Sequence, residues 1–110
     1  EMLTDSVSYQ EFSDDYYHVY CNFCIQSNNR EELKAKLSEA NIPAQVYYVK
    51  PLHLQKVYAN LGYTPGSLPI TENVCNNNLA LPMHPFLKNP EIDVIANLIT
   101  EKCSETSGKL

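Results

Sequence analysis

Between Tyr17 and Gln26 apolar and polar positions alternate. Tyr17, Val19, Cys21, Phe23 and Ile25 fall on one side, and His18, Tyr20, Asn22, Cys24 and Gln26 on the other. A period of two is that of a half-buried β-strand, and it predicts one here. The period then lengthens. Leu33, Leu37 and Ala40 recur at i, i+4 and i+7, the inward stripe of a helix over residues 29–40. Asn28 stands where an N-cap belongs and Glu31 lies three residues on, while Glu31 and Glu32 suit the positive end of the helix dipole. Asn41 can take the left-handed conformation that closes a helix, and Pro43 prevents continuation. Residues 44–49, rich in Val and Tyr, predict a second strand.

Further on, Leu54, Val57, Tyr58 and Leu61 mark one side of two helical turns that stop at Gly62. Thr64-Pro65-Gly66-Ser67 is a turn. Residues 69–78 read as a helix weakened by Asn76-Asn77-Asn78, and Leu79-Ala80-Leu81 as a short buried strand ended by Pro82. The last helix has Asn89 as cap, Pro90 at its first position, Glu91 and Asp93 in its first turn, and an apolar face of Ile92, Ile95, Ala96, Ile99 and Cys103. Residues 1–15 are polar and aperiodic, an irregular lead-in. Residues 16–103 form one domain, and residues 104–110 a flexible polar tail. The resulting fold class is α+β: a small, few-stranded, mainly antiparallel sheet with helices packed on one face.

Composition narrows the function classes. At 110 residues the chain can bury one core, and no stretch approaches the roughly 18 apolar residues of a membrane span. Glu1-Met2-Leu3-Thr4-Asp5 has neither the basic nor the apolar region of a signal peptide, and Glu ahead of Met suggests the edge of a fragment. The net charge is −5 and the cations are dispersed, whereas a nucleic-acid module clusters them to neutralise phosphates. Neither nucleic acid nor membrane is expected as a partner. Of four cysteines, Cys21 and Cys24 form a C-x-x-C spacing, the half-signature of a zinc site or redox pair. In a strand these two would lie on opposite faces, about 10 Å apart, beyond disulfide reach. No second pair follows, so free thiols in a reducing, cytoplasmic compartment are expected.

Chemistry-bearing residues concentrate between Tyr47 and His84. His53 and His84 each sit in a proline-bounded loop able to aim an imidazole, at a backbone carbonyl or at a ligand, while His18 lies on the polar face of the first strand. No G-x-S-x-G elbow, G-x-G-x-x-G loop or P-loop occurs, and three glycines cannot build a phosphate cradle. Lys50, ahead of Pro51, reads as a solvated or phosphate-facing cation, with nothing nearby to depress its pKa for Schiff-base chemistry. The three histidines have no metal-ligand spacing. These residues define a loop surface suited to a ligand, but no reaction.

Several elements together carry a resemblance: Arg30-Glu31-Glu32-Leu33 to Leu37, Asn41-Ile42-Pro43, Tyr47-Tyr48-x-x-Pro51-Leu52-His53-Leu54-Gln55, and Tyr58 with Leu61-Gly62-Tyr63. Pro69 with Glu72 and Leu79-x-Leu81-Pro82-Met83-His84-Pro85 complete it. Residues 16–102 resemble the C-terminal small domain of the DegT/DnrJ/StrS family of sugar-nucleotide aminotransferases. That resemblance implies a fold-type-I, pyridoxal phosphate (PLP)-dependent homodimer that transfers an amino group to a nucleotide-linked keto sugar. It places the PLP lysine and phosphate-binding residues in a large N-terminal domain outside this chain, with no PLP bound here and no catalytic residue. It assigns substrate contact to Tyr48, His53 and His84, with Tyr47 and Lys50 as further candidates. Asn41 in place of a common glycine, the Asn76–Asn78 run and Cys21-Asn22-Phe23 depart from the family pattern. Two alternatives remain: a stand-alone, non-catalytic sugar-nucleotide-binding module, and the same domain of a PLP-dependent sugar dehydratase. Loss of a large partner would expose apolar surface, so a homo-oligomer is expected.

Overall fold

The computed structural model describes residues 7–107, with side chains through Glu101. Three antiparallel strands form the sheet in the order β1 (Ser8–Tyr9), β2 (Phe23–Gln26) and β3 (Asn78–Leu81). Phe23 faces Leu81 and Ile25 faces Leu79, while Ser8 and Tyr9 oppose Gln26 and Ile25. This register sets Ile25 and Leu79 side by side, both without solvent exposure, under helices α1 (Arg30–Glu39) and α3 (Asn89–Ser107). Leu33 and Leu37 of α1 and Ile95 and Ile99 of α3 close over them, joined by Val7, Ala44 and Leu81, and this cluster is the hydrophobic core. Each fully buried Leu or Ile contributes about 1.5–3 kcal/mol by leaving water. The α+β class and antiparallel sheet expected from the sequence are present.

The first strand is shorter than its alternation predicts. Tyr17 and Val19 are 94% and 78% exposed, and Tyr20 turns out of the extended region with φ 48° while its N–H donates to His18 Nδ1 at 2.9 Å. The physical reason is the partner: β3 is only four residues long and pairs with residues 23–26, so among the described residues no strand pairs with residues 17–22. The lead-in, read as irregular throughout, instead supplies β1 and a core residue, Val7. The strand expected at 44–49 reduces to one bridge, Gln45 against Ala80, before the chain turns at Tyr47.

The helices keep their predicted places with local corrections. The cap of α1 is Asn29 rather than Asn28 and makes no side-chain bond; its N–H donates to Ser27 Oγ at 3.2 Å. Glu31 does not complete a capping box because it pairs with Arg30 at 2.7 Å. Ala40 is exposed, Asn41 takes the left-handed conformation (φ 58°), and the Ile42 N–H returns to the Leu37 carbonyl at 2.8 Å. At α3 the cap falls on Lys88, whose N–H donates to Glu91 Oε2 at 2.8 Å and whose carbonyl takes the N–H of Ile92. Ile92, expected on the inward face, is 42% exposed; Cys103 lies outside the described side chains. The helix runs on to Ser107, past the expected boundary at 104. Among the described residues no helix is long and apolar enough to cross a membrane.

Candidate functional site

The site is a groove built by loops that the sheet and α2 (Pro69–Asn77) hold in place. Pro51 is buried and extended (φ −63°, ψ 146°), a conformation its ring favours, and it opens a short 3₁₀ turn, Leu52–Leu54. Gln55, again extended, breaks that turn from a second, Lys56–Leu61. The second ends on Gly62 in the left-handed region (φ 78°), where a side chain would be strained. The predicted helical turns are thus present, but as 3₁₀ turns. Their apolar side is open, since Val57 and Leu61 are 72% and 61% exposed.

Next comes Thr64-Pro65-Gly66-Ser67, closed by the Ser67 N–H on the Thr64 carbonyl at 3.0 Å. Proline second and a positive-φ glycine third (Gly66, φ 88°) are what a type II turn requires. This turn delivers the Gly66 N–H to the Glu72 carboxylate at 2.9 and 2.8 Å, and the Leu68 N–H follows at 3.2 Å. The same carboxylate takes the Nε2 of His53 at 3.0 Å, 19 residues back along the chain. The His53 ring is buried and meets the Tyr63 ring edge-on, centroids 5.7 Å apart. Glu72 therefore ties together the first 3₁₀ turn, the glycine turn and the first residues of α2.

That donor set holds Glu72 below the usual carboxylate range, chiefly through the Gly66 N–H and then through His53. A depressed carboxylate contributes stability that is fully present above its unfolded pKa, about 4.3, and is lost as pH falls through its lower folded value. Urea unfolding across acidic pH should show wild type losing stability below about pH 4.3 more steeply than Glu72→Gln. Parallel pH profiles would refute the role of the carboxylate.

The groove encloses about 440 Å³. Tyr48, Leu52, Tyr58, Leu61, Tyr63 and Leu68 make its walls largely apolar, and Pro51, His53, Thr71 and Cys75 also line it. Lys50 lines it too and is exposed. Three of the five candidates from the sequence, Tyr48, Lys50 and His53, thus meet in one place. Tyr47 stands apart: its N–H donates to Asn78 Oδ1 at 3.0 Å and its ring lies beside that of Tyr48, centroids 5.8 Å apart. His84 lines a different pocket, about 490 Å³, with Asn41, Pro43, Leu87 and Glu91, and this pocket shares no residue with the groove.

Three organising residues escaped the candidate list. Glu72 stands out in the sequence with Pro69, as part of the pattern that carries the resemblance, and that signal names no histidine partner. Buried Asn78 accepts from Tyr47 N–H and donates from Nδ2 to the carbonyls of Val74 (2.9 Å) and Cys75 (3.4 Å). Arg30 Nη1 also donates to the Cys75 carbonyl, at 2.6 Å, fastening α1 to α2. Cys21, Cys24 and Cys75 are free thiols; burial pushes the Cys24 thiol up in pKa, away from the thiolate form. No group of three or more metal-ligating side chains gathers among the described residues.

A three-stranded antiparallel sheet under two helices, with a loop groove beside it, makes a small α+β lobe. The chain belongs to the DegT/DnrJ/EryC1/StrS aminotransferase family, whose profile matches residues 3–100. It is 41% identical over 101 residues to a pleiotropic regulatory protein of Geobacillus stearothermophilus, covering 92% of this chain and 27% of that one. It is 37% identical over 84 residues to the UDP-N-acetyl-3-dehydro-alpha-D-glucosamine 3-aminotransferase of Acidithiobacillus ferrooxidans, 76% of this chain and 22% of that one. Among solved structures, a DegT DnrJ EryC1 StrS aminotransferase from Brucella abortus superposes with TM-score 0.82 at 39% identity, 92% of this chain on 27% of that one. The chain spans about a quarter of the length of these relatives.

Proposed function

We propose that the chain is the small-domain portion of a PLP-dependent aminotransferase acting on a nucleotide-linked keto sugar, and that its groove supplies a substrate-facing wall. The observation that carries this reading is the meeting of Tyr48, Lys50 and His53 in one groove of a chain that matches the family over residues 3–100. The nucleotide-sugar substrate named for the Acidithiobacillus relative supports the substrate class. Aromatic walls suit the apolar face of a sugar ring, an exposed cation suits a diphosphate, and neither moves a proton at a cofactor.

The residues present do not fit PLP itself. The cofactor needs a lysine held for Schiff-base formation and a set of donors for its phosphate. In the groove the one amine, Lys50, is exposed, and the backbone N–H groups of Gly66 and Leu68 already serve the Glu72 carboxylate. When bound in the longer protein, PLP supplies the electron sink for amino transfer. In our reading it is held by a large domain outside this chain, within a cytoplasmic homo-oligomer whose contacts cover the exposed apolar turns.

Two measurements test the proposal. Amide NMR shifts on adding UDP-N-acetylglucosamine are expected at Tyr48, Lys50 and Gln55, and their absence would sink the substrate assignment. Mixing the chain with PLP should give no saturable aldimine absorbance at one equivalent; a stoichiometric aldimine would mean that the cofactor lysine lies within these 110 residues.

A further inference from the structure

Glu72 is more than a loop anchor because of what it does to the imidazole it holds. A carboxylate can only accept hydrogen bonds, so in a neutral ring the proton between it and His53 sits on Nε2. Nδ1 then carries a lone pair. It enters no hydrogen bond among the described residues, and no fully buried side-chain nitrogen or oxygen there lacks a partner, so Nδ1 keeps some accessible surface although the ring as a whole is buried. Ring rotation is blocked on two sides, by the carboxylate at 3.0 Å and by the edge-on Tyr63 ring. The carboxylate is itself immobilised by the Gly66 N–H of the glycine turn and by the Leu68 N–H that follows it. This is a chain of fixed parts that ends on one acceptor atom of a residue lining an otherwise apolar groove.

We propose that Glu72 is a positioning residue that locks His53 in its Nε2–H tautomer, so that Nδ1 presents a fixed acceptor to a hydroxyl or N–H donor of the ligand in the groove. The proposal rests on the groove being the sugar-facing wall. It adds that the ligand is selected for a donor at that point, because a ligand offering an acceptor there would face the Nδ1 lone pair. Unlike Lys50, which serves any anion, this pair discriminates by donor placement.

The test uses the 110-residue chain uniformly labelled with ¹⁵N. Long-range ¹H–¹⁵N spectra should show His53 as one tautomer, with Nε2 pyrrole-like and Nδ1 pyridine-like. A mixed or reversed tautomer in wild type overturns the proposal with no ligand present. On titration with UDP-N-acetylglucosamine the His53 Nδ1 resonance should move together with the Tyr48 and Lys50 amides. If those amides move and Nδ1 does not, the groove binds but the positioned acceptor is refuted. If neither moves, the substrate reading and the role built on it fall together.

Glu72→Ala should mix the tautomers and weaken the amide-detected affinity roughly five- to tenfold, the worth of one oriented hydrogen bond. Glu72→Gln retains a carbonyl acceptor for Nε2–H and should recover the tautomer and part of the affinity. It is also the variant to read if Glu72→Ala does not fold. Wild-type affinity together with a mixed tautomer in either variant would show that the tautomer is irrelevant, and would end the proposal.

Discussion

Leu37→Ala is expected to lower the unfolding free energy by about 2–5 kcal/mol, the cost of removing buried methyl groups and leaving a cavity that the surroundings only partly fill. Leu37 has no solvent exposure and sits in α1, where the core gathers Leu33, Ile95, Ile99, Ile25 and Leu79. Collapse onto the gap is restricted, because α1 is tethered at its first residue by the Arg30 bond to the Cys75 carbonyl, and Lys36 reaches Glu101 of α3 at 3.2 Å. A domain of this size holds a total stability of about 5–15 kcal/mol, so the loss consumes a large fraction of it. Urea denaturation measures the effect directly. Leu52→Ala is the control: the same atoms are removed from a residue that is 66% exposed, and the expected change is within about 0.5 kcal/mol. Equal losses at the two sites would mean that the core is not where the packing puts it.

The second large effect is expected from Asn78→Leu, at about 2–3 kcal/mol by the cost of leaving buried polar groups unpaired. The two side chains are similar in size, so packing changes little and the polar term decides. Asn78 is 3% exposed; its loss strips Tyr47 N–H of its acceptor, while the Val74 carbonyl keeps the backbone N–H of residue 78 and the Cys75 carbonyl keeps Arg30. Asn78→Asp separates the two roles. It retains an acceptor for Tyr47 but loses both donors and sets a negative charge at the C-terminal end of α2, where the helix dipole disfavours it. Thermal unfolding should rank wild type above both variants, and hydrogen exchange at the Tyr47 amide should accelerate in Asn78→Leu far more than in Asn78→Asp. An Asn78→Leu chain as stable as wild type would show that this side chain organises nothing.

Local signals in the sequence located the helices because each is announced by residues adjacent to it. Asn41 left-handed after α1, Gly62 stopping the second 3₁₀ turn and Pro69 opening α2 all stand where their backbone preferences put them. Strand length was not legible in the same way. Residues 17–22 alternate as faithfully as residues 23–26, but burial needs a neighbour, and β3 ends at Leu81. Nor does the Asn76–Asn78 run merely weaken a helix; its last member ends α2 by bonding the carbonyls of that helix. The site divides along the same line. Tyr48, Lys50 and His53 cluster because they are near in sequence, whereas the partner of His53 lies beyond two turns, at Glu72, where no periodicity reaches. His84 shared the chemistry of His53 but hangs from the other end of β3, beside α3.

One junction constrains how this chain can vary. Helix α2 passes into β3 with no intervening loop, Asn77 ending one and Asn78 beginning the other, and the Ser27 N–H closes on the Asn77 carbonyl at 2.9 Å. Adding or deleting a single residue between Glu72 and Leu79 would shift β3 by one place, replacing Leu79 and Leu81 with the much smaller Ala80 on the face that packs against α1 and α3. The same edit would rotate Glu72 about 100° around α2, away from His53. The number of residues from 72 to 79 is therefore fixed by both partners at once, the core beneath β3 and the imidazole beside α2. In the exposed stretch from Gly62 to Leu68 an insertion costs little beyond loop-closure entropy only where it leaves the Thr64–Ser67 turn and its Gly66 N–H in place against Glu72.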